Sequence, residues 1–150
     1  MSVDTKKNDQ TSWPGTAVQW ATSRRWSKRP MHHRAVRAFR LACERSDAAA
    51  LVAMLDPRIA VVVDDGDAEH PRIRVVRGTA EAIPLLLHGM ARQPGLAVND
   101  CPINGQAGLM VRQHGETTAA VNVDFTNRHV SVVWIRLNPV VLRHWNQFTV

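Results

Sequence analysis

Carboxylates and histidines are the residue types best able to do chemistry in this chain of 150 residues. Asp64 closes the run Ala60-Val61-Val62-Val63, and Asp124 lies in Val121-Asn122-Val123-Asp124-Phe125. Both are candidates for acid–base work, which needs a carboxylate beside the reacting atom. The competing reading puts Asp64, Asp65 and Asp67 in a solvated turn, with Asn122 and Asp124 on the water face of a half-buried strand. Seven histidines raise the question of metal. His32 and His33 are neighbours whose rings diverge on a helix, and His70, His88, His114, His129 and His144 are scattered. HExxH, an i, i+4 histidine pair and zinc-like Cys/His spacing are all missing, so no metal site is expected. No glycine pattern for a nucleotide or dinucleotide occurs, and no GxSxG elbow, so no cofactor is expected.

Composition bounds the class. Apolar residues make up 45% and charged residues 21%, as in an ordinary soluble domain. No apolar run approaches the roughly 18 residues that cross a bilayer, and Met1 to Gln10 is too polar for a signal-peptide core. Cys43 and Cys101, without CxxC spacing, read as buried thiols in a reducing cytoplasm. The net charge of +6 is uneven: residues 1–40 hold nine Lys and Arg against Asp4 and Asp9. A basic arm of this kind meets phosphates or an acidic protein surface, or is simply solvated. Trp13, Trp20 and Trp26 stand within it, and aromatic–basic interleaving suits nucleic-acid stacking or a docking helix. Packing or a vestige explains them equally well.

The elements follow from periodicity and punctuation. Residues 1–30 read as a partly disordered arm with a short basic helix from Thr16 to Arg29, stopped by Pro30, and residues 31–150 as one domain. From His32 to Arg45, Val36, Phe39 and Cys43 share one helical face. Ser46 or Asp47 caps a second helix that Asp56-Pro57 stops. Ile59–Val63 and Arg72–Arg77 read as strands, and Thr79 as the cap of a helix through Arg92 that Pro84 should bend. From Leu96 to Leu137 four strands are joined by turns at Asn104-Gly105, His114-Gly115-Glu116 and Thr126-Asn127-Arg128. Helices followed by consecutive strands give an α+β domain whose curved antiparallel sheet wraps the helices around an apolar pocket. Phe39, Leu51, Ile83, Leu86, Met110 and Trp134 are the expected lining.

Val36-Arg37-Ala38-Phe39, Asp47-Ala48-Ala49-Ala50-Leu51, Leu55-Asp56-Pro57, Val76-Arg77-Gly78 and Ile103-Asn104-Gly105 follow one another in a familiar order. On these motifs residues 32–145 resemble the SnoaL-like branch of the nuclear-transport-factor-2-like superfamily. Within it the likeness is to the C-terminal domain of actinobacterial extracytoplasmic-function RNA polymerase sigma factors. An acidic-glycine signature persists as Asp65-Gly66-Asp67, and a shortened C-terminal one as Asn138-Pro139-Val140-Val141-Leu142. Thr16 to Arg25 looks like the tail of a sigma recognition helix, without the helix-turn-helix before it.

The resemblance implies a cone-shaped α+β fold and a non-catalytic ligand-binding or protein-interaction module that regulates transcription initiation. A sigma factor or RNA polymerase would be its partner, met through Asp65, Gly66, Asn138 and Pro139. The alternative it admits is an isomerase or polyketide-cyclase-like enzyme, with Asp64 as base, Asp124 as second acid and Asn122 or Trp134 as donor. The chain has no Tyr to serve as an oxyanion donor. Sheets of this type commonly pair, so a homodimer is compatible with either reading.

Overall fold

The structure, a computed structural model, describes residues 29–66, 69–70, 72–103 and 105–137. The described chain runs α1 (Arg29–Glu44), α2 (Ala48–Met54), β1 (Leu55–Asp64), β2 (Ile73–Arg77), α3 (Thr79–Met90), β3 (Leu96–Ile103), β4 (Gln106–Gln113), β5 (Glu116–Thr126) and β6 (His129–Arg136). Trp13, Trp20 and Trp26 of the basic arm, together with Asn138, Pro139 and Trp145, lie outside the described residues.

Pro30 stands in the first turn of α1, where its missing N–H has no partner to lose; the short basic helix expected before it, through residues 16–28, lies outside the described residues. Val36, Phe39 and Cys43 recur on one face of α1 and are at most 1% exposed. His32 extends that face, its ring meeting Phe125 edge-on at 5.2 Å. On the flank, Arg40 binds Asp100 of β3 (Nε–Oδ1 2.9 Å) and Glu44 (Nη1–Oε1 3.0 Å), and Arg37 adds a longer contact to Asp100. Such part-exposed ion pairs contribute about 0–1 kcal/mol each, against roughly 2–3 kcal/mol for burying a phenylalanine. The apolar face therefore holds α1 down, and the arginines fix its rotation over β3.

Asp47 is the cap of α2, its Oδ1 accepting from the Ala50 amide at 3.0 Å. The helix ends at Met54 as Asp56-Pro57 suggests, but these two residues lie inside β1. They occupy an irregularity where pairing with β6 jumps from Leu55–Val130 to Ala60–Val132. A proline is tolerated at such a bulge because no ladder bond is lost. At α3 the cap is Gly78 at φ +86°, not Thr79. Gly78 donates its amide to the Ile59 carbonyl (2.8 Å), which ties the start of α3 to β1. The helix continues past an exposed Pro84 and buries Ala82, Leu86 and Met90.

The sheet order is β2-β1-β6-β5-β4-β3. Every pairing is antiparallel except β1–β6, which is parallel, so the sheet is mixed, curved and unclosed. Two hairpins close on paired left-handed residues, His114-Gly115 and Asn127-Arg128, the geometry of two-residue turns matched to strand twist. Strand alternation then gives the sheet two faces. Val61, Val63, Leu109, Val121, Val123 and Val133 face the helices with Phe39, Leu51 and Leu86, and form the core.

Candidate functional site

Between α3 and the concave face of the sheet lies a cleft of about 500 Å³, within the range of small-molecule sites. Val63, Ile135, Val121, Ala119 and Val111 form its floor, and Leu85, Leu86 and Met90 close it from α3. Among the described residues the polar lining is Arg74 from β2, His88 from the last turn of α3, Gln93 just after it, Gln113 from β4 and Thr118 from β5.

Register places these side chains. Arg74 pairs with Val63 across β2 and β1, Val63 with Ile135, and Ile135 with Val121. The result is an apolar row running across the strands, ending in a guanidinium on the edge strand. On β5 the pairing passes from Val111–Ala119 to Arg112–Thr117, leaving Thr118 as a bulge. The bulge turns Thr118 toward the cleft beside Ala119, and its hydroxyl donates to the Val111 carbonyl at 3.3 Å. Gly89 leaves the wall of α3 open, since a Cβ there would meet nothing within 4 Å.

Of the residues expected to line a pocket, Leu86 lines this cleft. Phe39 and Leu51 are fully buried in the core away from it, and Ile83 packs against that core half-buried. Met110 and Trp134 alternate with inward-facing neighbours, so they lie on the outer face, Met110 in a small cluster with Ile103 and Ala120. Val63, Arg74, Gln113, Thr118 and Ile135 were not legible as site residues. Alternation alone could have grouped Val63, Val121 and Ile135. At β2 alternation puts Arg74 on the cleft side and Ile73 and Val75 (44% and 47% exposed) on the other, with all three exposed on this edge strand.

Neither candidate carboxylate lines the cleft. Asp64 alternates with Val63 and so lies on the outer face, paired in register with Ile73 and Arg136. Its carboxylate accepts from the Gly66 amide (3.3 Å), and its carbonyl accepts from the Leu137 amide (2.7 Å). Burial holds the Arg136 guanidinium below its ordinary pKa, with the Asp64 charge pulling the other way. Asp124 is not a water-facing residue: it is 2% exposed, and its Oδ1 accepts from the Phe125 amide at 3.0 Å.

The acidic-glycine turn is tied down locally. Asp65 pairs with Arg72 at 3.3 Å, and its amide donates to the Arg72 carbonyl at 3.0 Å, while Gly66 is buried. The Leu137–Asp64 bond brings this turn beside the residue that precedes Asn138. Among the described residues no group of three His, Cys, Asp or Glu side chains is placed to hold a metal ion. Among them, too, no helix is long and apolar enough to cross a membrane.

No family model matches the chain, and no curated protein does. Solved structures do. The chain is similar to the Mycobacterium tuberculosis extracytoplasmic function sigma factor SigJ, with a TM-score of 0.58 and 20% identity. That match takes in 84% of this chain and spans only half of the sigma factor's length. It is also similar to "Rd1NTF2_04 with long sheet", with a TM-score of 0.53 and 17% identity over 69% of this chain and 98% of that one. A weaker likeness, TM-score 0.46 and 13% identity over 79% and 90% of the two chains, is to an M. tuberculosis LEH-like epoxide hydrolase. At these identities the likeness establishes the fold, which is α+β and nuclear-transport-factor-2-like.

Proposed function

We propose that this chain is a non-catalytic binding module whose cleft takes a small, largely apolar molecule. One observation carries the reading. The cleft is walled by aliphatic side chains, and among the described residues no carboxylate lines it, so these residues offer no base of the isomerase or cyclase kind there. Asp64 and Asp124 have other occupations on the opposite face, one beside Arg136 and one bonded to its own strand.

The cellular role we propose, which the resemblance to sigma-factor regulatory domains supports, is that of a cytoplasmic module that modulates transcription initiation by contact with a sigma factor or RNA polymerase. Asp65 and Gly66, with Asn138 and Pro139, form the contact surface in that role. The bond between Leu137 and Asp64, which ends the described chain beside the Asp65-Gly66 turn, supports that turn as part of the contact; Asn138 and Pro139 lie outside the described residues.

The test is titration of the full chain with the neutral apolar fluorophore N-phenyl-1-naphthylamine. One saturable site is expected, lost in Gly89→Trp, which fills the open wall of the cleft, and kept in Asp64→Asn. The purified chain is also expected not to isomerise a 5-ene-3-ketosteroid. Absence of saturable binding, or turnover that Asp64→Asn abolishes, would sink the reading.

A further inference from the structure

The ligand's chemical class follows from the charge at the cleft rim, and it rests on the binding reading above. We propose that the cleft takes an amphiphilic carboxylate. Its apolar body lies along Val63, Ile135 and Val121, and its carboxylate meets the Arg74 guanidinium.

Arg74 differs in its occupation from Arg72 beside it and from the arginines of α1, and differs from Arg77 on the same strand in lining the cleft. Arg40 is committed to Asp100 and Glu44, Arg37 reaches Asp100, and Arg72 holds Asp65. Arg74 has no hydrogen-bond or ion-pair partner among the described residues, yet it lines the cleft. Its place in the row matters as much as its charge. It sits on the edge strand β2, directly across from Val63, so the guanidinium stands at one end of an otherwise apolar track. Strands lie about 4.8 Å apart, so the track from β2 to β5 is about 14 Å long. No carboxylate lines the cleft among the described residues, so none of them there repels an anion.

A neutral ligand would leave the guanidinium facing an apolar body. An amine would be repelled. A planar carboxylate matches the guanidinium fork and can take two parallel N–H···O bonds. Arg74 is exposed, so solvent weakens the pair, and the preference expected is about tenfold, a modest electrostatic gain rather than that of a buried ion pair.

The experiment is calorimetric titration of the full chain with decanoate, decanol and decylamine, which share one apolar body and differ in head group. Decanoate is expected to bind about tenfold tighter than decanol, and decylamine more weakly than decanol. Arg74→Gln should bring decanoate down to the decanol affinity while leaving decanol unchanged. Arg72→Gln removes an equal charge outside the cleft and should change decanoate binding less than about twofold. Equal affinity for decanoate and decanol, or equal effects of the two arginine substitutions, overturns the carboxylate assignment and leaves the binding reading standing. No binding by any of the three overturns both. Urea unfolding of Arg74→Gln, expected to match wild type, separates lost recognition from lost fold.

Discussion

Asp64 and Arg136 occupy paired positions across the parallel β1–β6 junction, on the sheet face turned away from α3. Burial weakens the charged form of Arg136, and the Asp64 carboxylate partly restores it. This is a structural use of the residue whose place at a strand end first suggested a base. Asp64→Asn should therefore lower stability by about 1 kcal/mol, less than loss of a fully buried pair because Arg136 is only half-buried. Urea midpoints of the two proteins measure it. An unchanged midpoint would mean that Arg136 does not depend on Asp64.

Two glycines predict opposite signs. A Cβ on Gly108, in the middle of β4, would stand 2.7 Å from both the Val121 carbonyl and the Ile103 side chain. The backbone oxygen belongs to a paired strand and cannot move cheaply, so Gly108→Ala should destabilise by about 1–3 kcal/mol. A Cβ on Gly89 meets open space within a helix, so Gly89→Ala should stabilise by up to about 0.5–1 kcal/mol. Thermal unfolding of both variants checks the pair, and equal shifts would contradict it.

The helices and most of the sheet were legible because their signals are local. Val36, Phe39 and Cys43 mark a helical face by spacing alone, and His114-Gly115 and Asn127-Arg128 mark hairpins by residue type. What was not legible depends on pairing between distant segments. The parallel contact of β1 with β6 joins the first and last described strands, and no turn residue announces it. That contact places Ile135 beside Val63 and so builds the cleft. Likewise the exposed Ile73 and Val75 invert the usual expectation for an edge strand. Their alternation is correct, but register with Val61 and Val63 decides which half faces inward.

Phe39 and Leu51 sit in the core and do not line the described cleft, and their substitution should read accordingly. Both are 0% exposed, one on α1 and one on α2. Phe39→Ala should cost about 3–5 kcal/mol and Leu51→Ala about 2–5 kcal/mol, since each removes packing and leaves a void that the sheet cannot close. The losses would appear in denaturant midpoints, while any variant that stays folded should bind the neutral fluorophore with wild-type affinity. A folded Leu51→Ala protein with altered affinity would place Leu51 in the site after all.

Cys43 makes stability depend on alkaline pH. Burial on the inner face of α1 pushes its thiol from 9.0 up to about 12, with Glu44 adding to the rise. The folded state thus holds the thiol proton more tightly than the unfolded chain does. Its contribution is whole below about pH 9 and is lost as pH climbs toward 12. Urea midpoints of wild type should therefore fall more steeply between pH 8 and 10.5 than those of Cys43→Ala, as the linkage slope of about 1.4 kcal/mol per pH unit per proton requires. The slopes are compared rather than the midpoints, because the alanine also removes packing. A thiol reagent supplies the second check. The half-buried Cys101 should react in the folded protein and the buried Cys43 only after urea is added. Parallel pH slopes, or two equally fast thiols, would show that Cys43 is open to water and that the inner face of α1 is not sealed against the sheet.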